Sequence, residues 1–186
     1  MLTDNPKTLT RCFIDIETTG LDWNVHEIIE IGVVKLAKEE LVRKLQIENA
    51  VIGEKIFEFK IENSKTASYK ALKINGHSID ELQNRKIDNR KVFREFASYI
   101  KGSVLWGWNI TFDILFIMQY SQRYGISVAD NIHYHYYDVA PILYPEVTSM
   151  SEACRKFYLS RNRFHNALQD AMLAYQIYKK AKGDSL

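Results

Sequence analysis

Hydrophobic and polar positions along the chain follow two rhythms, one of period two and one of period three to four. Arg11 to Glu17 sets Phe13 and Ile14 just before a pair of acids, and Ile28 to Leu36 reads IIEIGVVKL, too β-branched and apolar for a loop. Lys55 to Ile61, KIFEFKI, alternates apolar and charged positions, as a strand with one wetted face does. Two more strand-like runs follow at Ser103 to Trp108 (SVLWGW) and Tyr136 to Val139.

Helical spacing governs the second half. Lys91 to Ile100 carries Val92, Phe93, Phe96, Ala97 and Ile100 on one side, and Thr111 to Tyr124 repeats the pattern with Ile114, Leu115, Met118 and Tyr120. Ser149 to Phe157 opens with Ser149 and Glu152 three apart, a capping-box spacing. Asn166 to Lys182 turns Leu168, Ala171, Met172, Ala174, Tyr175 and Tyr178 inward. It ends on Lys179, Lys180 and Lys182, which suit the negative end of the helix dipole. Ala37 to Gly53 fits either a helical excursion or a strand extended into a hairpin. Strands first, then strands alternating with helices, predict a sheet covered by helices, an α/β layer architecture. No linker, repeat or low-complexity tract interrupts residues 1–186, which read as a single domain.

Composition narrows the class. At 186 residues, 46% hydrophobic and 26% charged, the chain can bury a core without disulfides or a structural metal, and it is too apolar to be disordered. Lys plus Arg number 25 against 23 Asp plus Glu, a net +2. Wrapping of nucleic acid by bulk charge is excluded; any such binding must be local. Cys12 and Cys154 stand far apart in apolar runs, as buried reduced thiols of a cytosolic protein do. The N-terminus has no apolar signal-peptide core, and no apolar run reaches the ~18 residues of a membrane span. A soluble cytoplasmic protein with no membrane partner is expected.

Asp15 and Glu17 stand two apart on the first strand, so both carboxylates leave one face. Like charges so placed raise each other's pKa, and a hard divalent cation with oxygen ligands removes the penalty. An Asp-x-Glu pair alone is common. Here it is embedded in FIDIETTGL, where Thr18, Thr19 and Gly20 let backbone N–H groups approach a ligand closely.

Phe13 to Leu21, with the core DIETTGL, resembles the first motif of the DEDD superfamily of 3′–5′ exonucleases. At about 5% usage per residue type, seven chosen residues recur by chance at ~10⁻⁹ per position. Trp108-Asn109-Ile110-Thr111-Phe112-Asp113 resembles the second motif, with Trp108 where a His is usual. His165-Asn166-Ala167-Leu168-Gln169-Asp170 resembles the third in its histidine form, His-x-Ala-x-x-Asp. That histidine places the resemblance in the DEDDh, DnaQ-like branch, which includes ribonuclease T, oligoribonuclease and the proofreading epsilon subunit of bacterial DNA polymerase III. The resemblance covers nearly the whole chain and implies a ribonuclease H-like fold, a five-stranded mixed β-sheet flanked by α-helices.

It also implies a site. Asp15, Glu17, Asp113 and Asp170 are expected as ligands of two divalent cations, Mg²⁺ with Mn²⁺ able to substitute. By resemblance Asp15 bridges both ions, Glu17 and Asp170 complete the first, and Asp113 reaches the second through water. Such a pair clamps an in-line displacement at phosphorus, and His165 is implied as the general base that takes a proton from water. Substrate contacts are expected from Thr18, Thr19 and Gly20, from Ile74 as an apolar wall, from Asn75 as a polar contact, and from Asn109 and Phe112 against the terminal nucleotide.

Other candidates read as structural. Asp22, Glu27 and Glu30 are expected as paired or solvated acids, and Asp138 as an N-cap. His133 and His135 are expected at the surface, without a metal. His77 lies just outside the implied nucleotide pocket. Trp106 and Trp108 flank Gly107 and are split between core and cleft, at least one being core. Arg161 and Arg163 fit either a phosphate contact or a solvated turn, and Arg85 to Arg94 a solvated helix face.

The expected activity is hydrolysis of terminal phosphodiesters from the 3′ end of a single strand, releasing nucleoside monophosphates. Thr18 stands where oligoribonuclease usually carries Met, which favours DNA ends and the proofreading or repair type. Two alternatives are an RNA-trimming exoribonuclease of the ribonuclease T or oligoribonuclease type and a non-catalytic polymerase-binding module of the same fold; retention of every acid weighs against the module. The expected partners are a single-stranded DNA or RNA 3′ end and, as in the epsilon type, a DNA polymerase subunit. The chain stops within a few residues of its last helix, so a polymerase-gripping tail is not expected.

Overall fold

The computed structural model describes residues 5–45, 50–161 and 165–183. Strands β1 (Thr10–Thr18), β2 (Ile28–Leu36) and β3 (Val51–Glu58) form an antiparallel meander, and β4 (Ser103–Gly107) and β5 (Ile132–Asp138) extend the sheet in parallel on the far side of β1. The order β3-β2-β1-β4-β5 puts β1 at the centre. Parallel neighbours need long crossovers: α2 (Tyr69–Asn75), α3 (Ile79–Asn84) and α4 (Asn89–Tyr99) lead into β4, and α5 (Thr111–Tyr124) joins β4 to β5, while α1 (Glu39–Leu45) lies between β2 and β3 and α6 (Met150–Lys156) and α7 (Ala167–Ala181) follow β5.

The pleat of β1 decides which residues meet which layer. Cys12, Ile14 and Ile16 join a core with Phe93 and Phe96 of α4 and Phe116 and Tyr120 of α5. Phe13 faces the other way, into a core with Ala153 of α6 and Ala171, Ala174 and Tyr175 of α7. With a side-chain period of two, Asp15 and Glu17 continue the Phe13 row toward α7. Gly32, the β2 partner of Asp15, is where α7 comes down on the sheet. A Cβ there would lie 2.2 Å from the Ala167 carbonyl carbon and the Leu168 nitrogen, so a larger residue would lift the first turn of α7 off Asp15.

Element boundaries differ from the sequence reading in ways with physical causes. Residues 37–53 divide into α1 and the start of β3, so the third strand runs Val51–Glu58 rather than 55–61. Phe59 and Ile61 lie beyond it but stay buried, their N–H groups donating to Ile29 and Leu82 carbonyls. β5 begins at Ile132, earlier than the apolar pattern indicates, because it bulges: Ser103 to Leu105 of β4 spans Ile132 to Tyr136. The bulge turns the His133 ring inward, 3% exposed, with Nδ1 accepting from His135 N–H, while His135 stays at the surface. The short helices α2 and α3 are started by Ser68 and Ser78 caps. α4 starts at Asp88, and Arg85 before it is not solvated: it donates to the Ile29 and Phe59 carbonyls and to Glu81.

Candidate active site

Three elements deliver the acids. β1 brings Asp15 and Glu17. α5 brings Asp113 in its first turn, buried, with a carboxylate that accepts the N–H of Ile16 and its own. α7 brings Asp170, also in its first turn and 2% exposed, behind an Asn166 cap whose Oδ1 accepts Gln169 N–H at 3.0 Å. His165 precedes that cap, and its N–H donates to Ile74 O at 3.3 Å, so the end of α2 holds the histidine loop.

All five residues line one cavity of about 620 Å³, a size that suits a small-molecule ligand. Donor atoms of Glu17, His165 and Asp170 lie within 4.8 Å of one another. Burial, then repulsion from Asp113, Glu17 and Asp170, holds the Asp15 carboxyl well above the usual carboxylate range. Burial, then Asp170 and Glu30, pushes Glu17 up to about 8. Burial raises Asp113 against the pull of its N–H partners. The His165 pKa is lowered, chiefly by burial and then by Arg161, so its ring is neutral near pH 7 and has a lone pair to accept a proton. A buried set of oxygen donors whose own repulsion disfavours ionisation is what a hard divalent cation stabilises, so these residues fit Mg²⁺ or Mn²⁺.

The expected substrate contacts divide. Thr18, Gly20, Ile74, Asn75, Asn109 and Phe112 line the cavity. Ile74 is 41% exposed, and the Phe112 ring leans on Phe116 at 5.0 Å. Asn75 spends its amide nitrogen on Thr18 O at 3.1 Å, and Thr18 Oγ1 donates to Gly20 O at 2.7 Å, so both shape the wall through backbone as well as presenting to it. Thr19 is a correction: it is fully buried, its Oγ1 accepts Glu27 N–H at 2.8 Å, and it is not in the wall. Asn109 holds φ 55°, a left-handed conformation that Asn tolerates, and its N–H donates to Asp138 Oδ1, which also caps Ala140.

Trp106 and Trp108 part company. Trp106 stacks between Phe13 and Tyr137, with centroids 5.7 and 4.5 Å away, and is core; Trp108 lines the cavity. Glu30, opposite Glu17 in the β1–β2 register, pairs with His77 Nε2 at 3.2 Å, and that bond is the chief cause of a raised His77 pKa. Arg163 lies outside the described residues. Arg161 is no solvated turn residue: it lies in the cavity wall and grips Asp170. The sequence reading did not assign Leu21, His26, Ser68 and Lys70 to the wall, though Leu21 ends the first motif and stands 84% exposed at its mouth.

A sheet of this order with clustered acids at the end of its central strand defines a nuclease class, and sequence comparison specifies it. The RNase T family model, described as Exonuclease, matches residues 12–178, and the chain belongs to that family. It is 28% identical over 180 residues to a DNA polymerase III of PolC type from Listeria welshimeri, covering 93% of this chain and 12% of that protein. A PolC-type polymerase III from Thermotoga maritima is 28% identical over 171 residues, covering 89% and 11%. Among solved structures, E. coli Exonuclease I with a dT13 oligonucleotide superposes with a TM-score of 0.76 at 16% identity, covering 94% of this chain and 41% of that one. Its zinc-bound single-stranded DNA complex gives 0.75 at 16% identity, covering 95% and 41%. These structures share the five-stranded exonuclease fold. Among the described residues no helix is long and apolar enough to cross a membrane.

Proposed function

We propose that the chain is a 3′–5′ exonuclease of the DEDDh type that removes nucleoside monophosphates from single-stranded DNA ends. The observation that carries this reading is the convergence of Asp15, Glu17, Asp113, Asp170 and His165, from separate parts of the chain, on one cavity.

The four carboxylates would hold two divalent cations, Mg²⁺ or Mn²⁺. When bound, these ions neutralise the phosphodiester, acidify the attacking water and stabilise the leaving oxygen. The chain's own groups do the rest. His165, neutral because it is half-buried beside Arg161, takes the water proton. Ile74 and Phe112 give the terminal nucleotide apolar walls, and Asn109 and Gly20 face it from the loops.

Proteins similar to this chain support DNA as the substrate. The relatives named above are polymerase III proteins, and both structures named above were solved with single-stranded DNA. A proofreading or repair role beside a polymerase follows, in the cytoplasm. The test is a 5′-labelled single strand, offered as matched DNA and RNA with Mg²⁺ or Mn²⁺. Stepwise shortening of DNA from its 3′ end is expected; preference for RNA would point to the trimming type. No shortening of either strand would overturn the reading.

A further inference from the structure

Arg161 sits where a cation is needed, on a residue proposed as a cation ligand. Its Nε donates to Asp170 Oδ1 at 3.0 Å and its Nη2 to Oδ2, a two-pronged grip on both carboxylate oxygens. Its Nη1 donates to Ser151 Oγ on α6 at 2.9 Å, which fixes the fork from behind. Each oxygen of Asp170 therefore already carries one donor of the fork, on one of its two lone pairs. The same guanidinium also counters the raised pKa of both Asp15 and Glu17, so its charge serves more of the cluster than Asp170 alone.

Charge counting shows why such a group is useful and why it must yield. A buried Asp170 without a partner is costly, since an uncompensated charge in low dielectric destabilises the fold. A divalent cation on Asp170 needs a carboxylate oxygen that the fork now holds. The cation and the guanidinium are like charges aimed at one group, so both cannot keep it fully.

We propose that Arg161 is a displaceable counter-ion: it holds the Asp170 carboxylate in the unloaded enzyme and releases it as the cation binds, so that it lowers metal affinity while stabilising the metal-free fold. This rests on the reading of Asp170 as a metal ligand. Arg161 then sets how much free cation the enzyme needs, a property of the third-motif loop and not of the motif acids.

The experiment measures Mn²⁺ binding by calorimetry at pH 8, and the thermal midpoint in EDTA, for the wild type, Arg161→Gln and Ser151→Ala. Arg161→Gln is expected to bind Mn²⁺ about tenfold more tightly, the factor one charge-assisted contact commands, while its metal-free form melts at a lower temperature. Ser151→Ala, which only loosens the fork, should move both quantities the same way by less, and it carries the test if the glutamine variant does not fold. In an Asp170→Asn background, Arg161→Gln should no longer tighten binding. Equal or weaker Mn²⁺ binding by Arg161→Gln, with Asp170→Asn alone still weakening it, overturns the counter-ion and leaves the exonuclease reading intact. A wild-type protein that binds no Mn²⁺ and shortens no strand overturns both.

Discussion

Two groups of buried carboxylates lie near the end of β1, and they are built on opposite principles. Glu27, 4% exposed, accepts N–H groups from Glu62 and Asn63 at 3.0 Å each and pairs with Arg123. Its oxygens meet donors. Asp15 and Glu17 instead face other carboxylates, while Asp113 beside them accepts two backbone N–H groups and Asp170 accepts the Arg161 fork. Glu17, Asp113 and Asp170 are about as buried as Glu27, so burial alone marks neither group as functional. The difference is satisfaction: a buried acid surrounded by donors holds the fold, and a buried acid surrounded by acids is held by the fold for something else.

The largest effect is expected from the unsatisfied group. Asp15→Asn should cut cleavage of a labelled strand by about 10³-fold or more, because it removes one of the proposed cation ligands. The same change should leave the metal-free protein as stable as before or more so, since it deletes a repelled carboxylate. Single-turnover cleavage and a thermal melt in EDTA check both halves. A variant that melts far below the wild type would show that Asp15 belongs with the structural acids.

Glu27→Ala should reverse that profile. Removing the acceptor strands two backbone N–H groups and loosens Arg123, a loss of about 3 kcal/mol in denaturant unfolding. Cleavage measured well below the new midpoint should change little, because Glu27 does not line the cavity.

The acidic cluster also has a signature in pH. Glu17, near 4.5 in an unfolded chain, titrates at about 8 when folded, and Asp15 and Asp113 are raised as well. The folded form thus binds more protons than the unfolded form between those values, and stability falls as pH rises through the window, then levels above it. In EDTA the thermal midpoint should drop by about 4 °C or more from pH 5 to pH 8, roughly 1–2 kcal/mol for a domain of this size. Saturating Mg²⁺ should raise the midpoint more at pH 8 than at pH 5, and Asp15→Asn should flatten the slope.

Much of this contrast could be read along the chain, and the unread part has a common cause. The period-two pleat of β1 makes Asp15 and Glu17 neighbours of Phe13's face, so their shared direction was legible from spacing. Asp113 and Asp170 were legible only through motif resemblance, because nothing local says that the first turns of α5 and α7 end beside β1. Gly32, which lets α7 approach, is one residue in an apolar strand and carries no local signal. α2 and α3, of seven and six residues, are too short for periodicity to declare itself. The fork of Arg161 on Asp170 spans nine residues and a loop, and the burial of His133 depends on a bulge set by β4. Contacts made across elements, rather than along them, were the ones missed.

Thr19 gives the smallest and sharpest division between the two groups. It adjoins Thr18, which lines the cavity, yet the β1–β2 register shifts between Glu17 and Thr18, and the next residue turns to the Glu27 side. There its N–H donates to Glu27 O and its hydroxyl accepts Glu27 N–H, both at 2.8 Å. A threonine so engaged closes the loop of residues 19–27 and, being fully buried, presents nothing to a nucleotide. Thr19→Ala should therefore cost about 1 kcal/mol in denaturant unfolding, the worth of one buried hydrogen bond. KM for a single-stranded oligonucleotide should stay within about twofold of the wild type, since ground-state binding is untouched. A KM raised tenfold with stability unchanged would move Thr19 from the structural acid's neighbourhood into the substrate's, and with it the boundary drawn between the two groups.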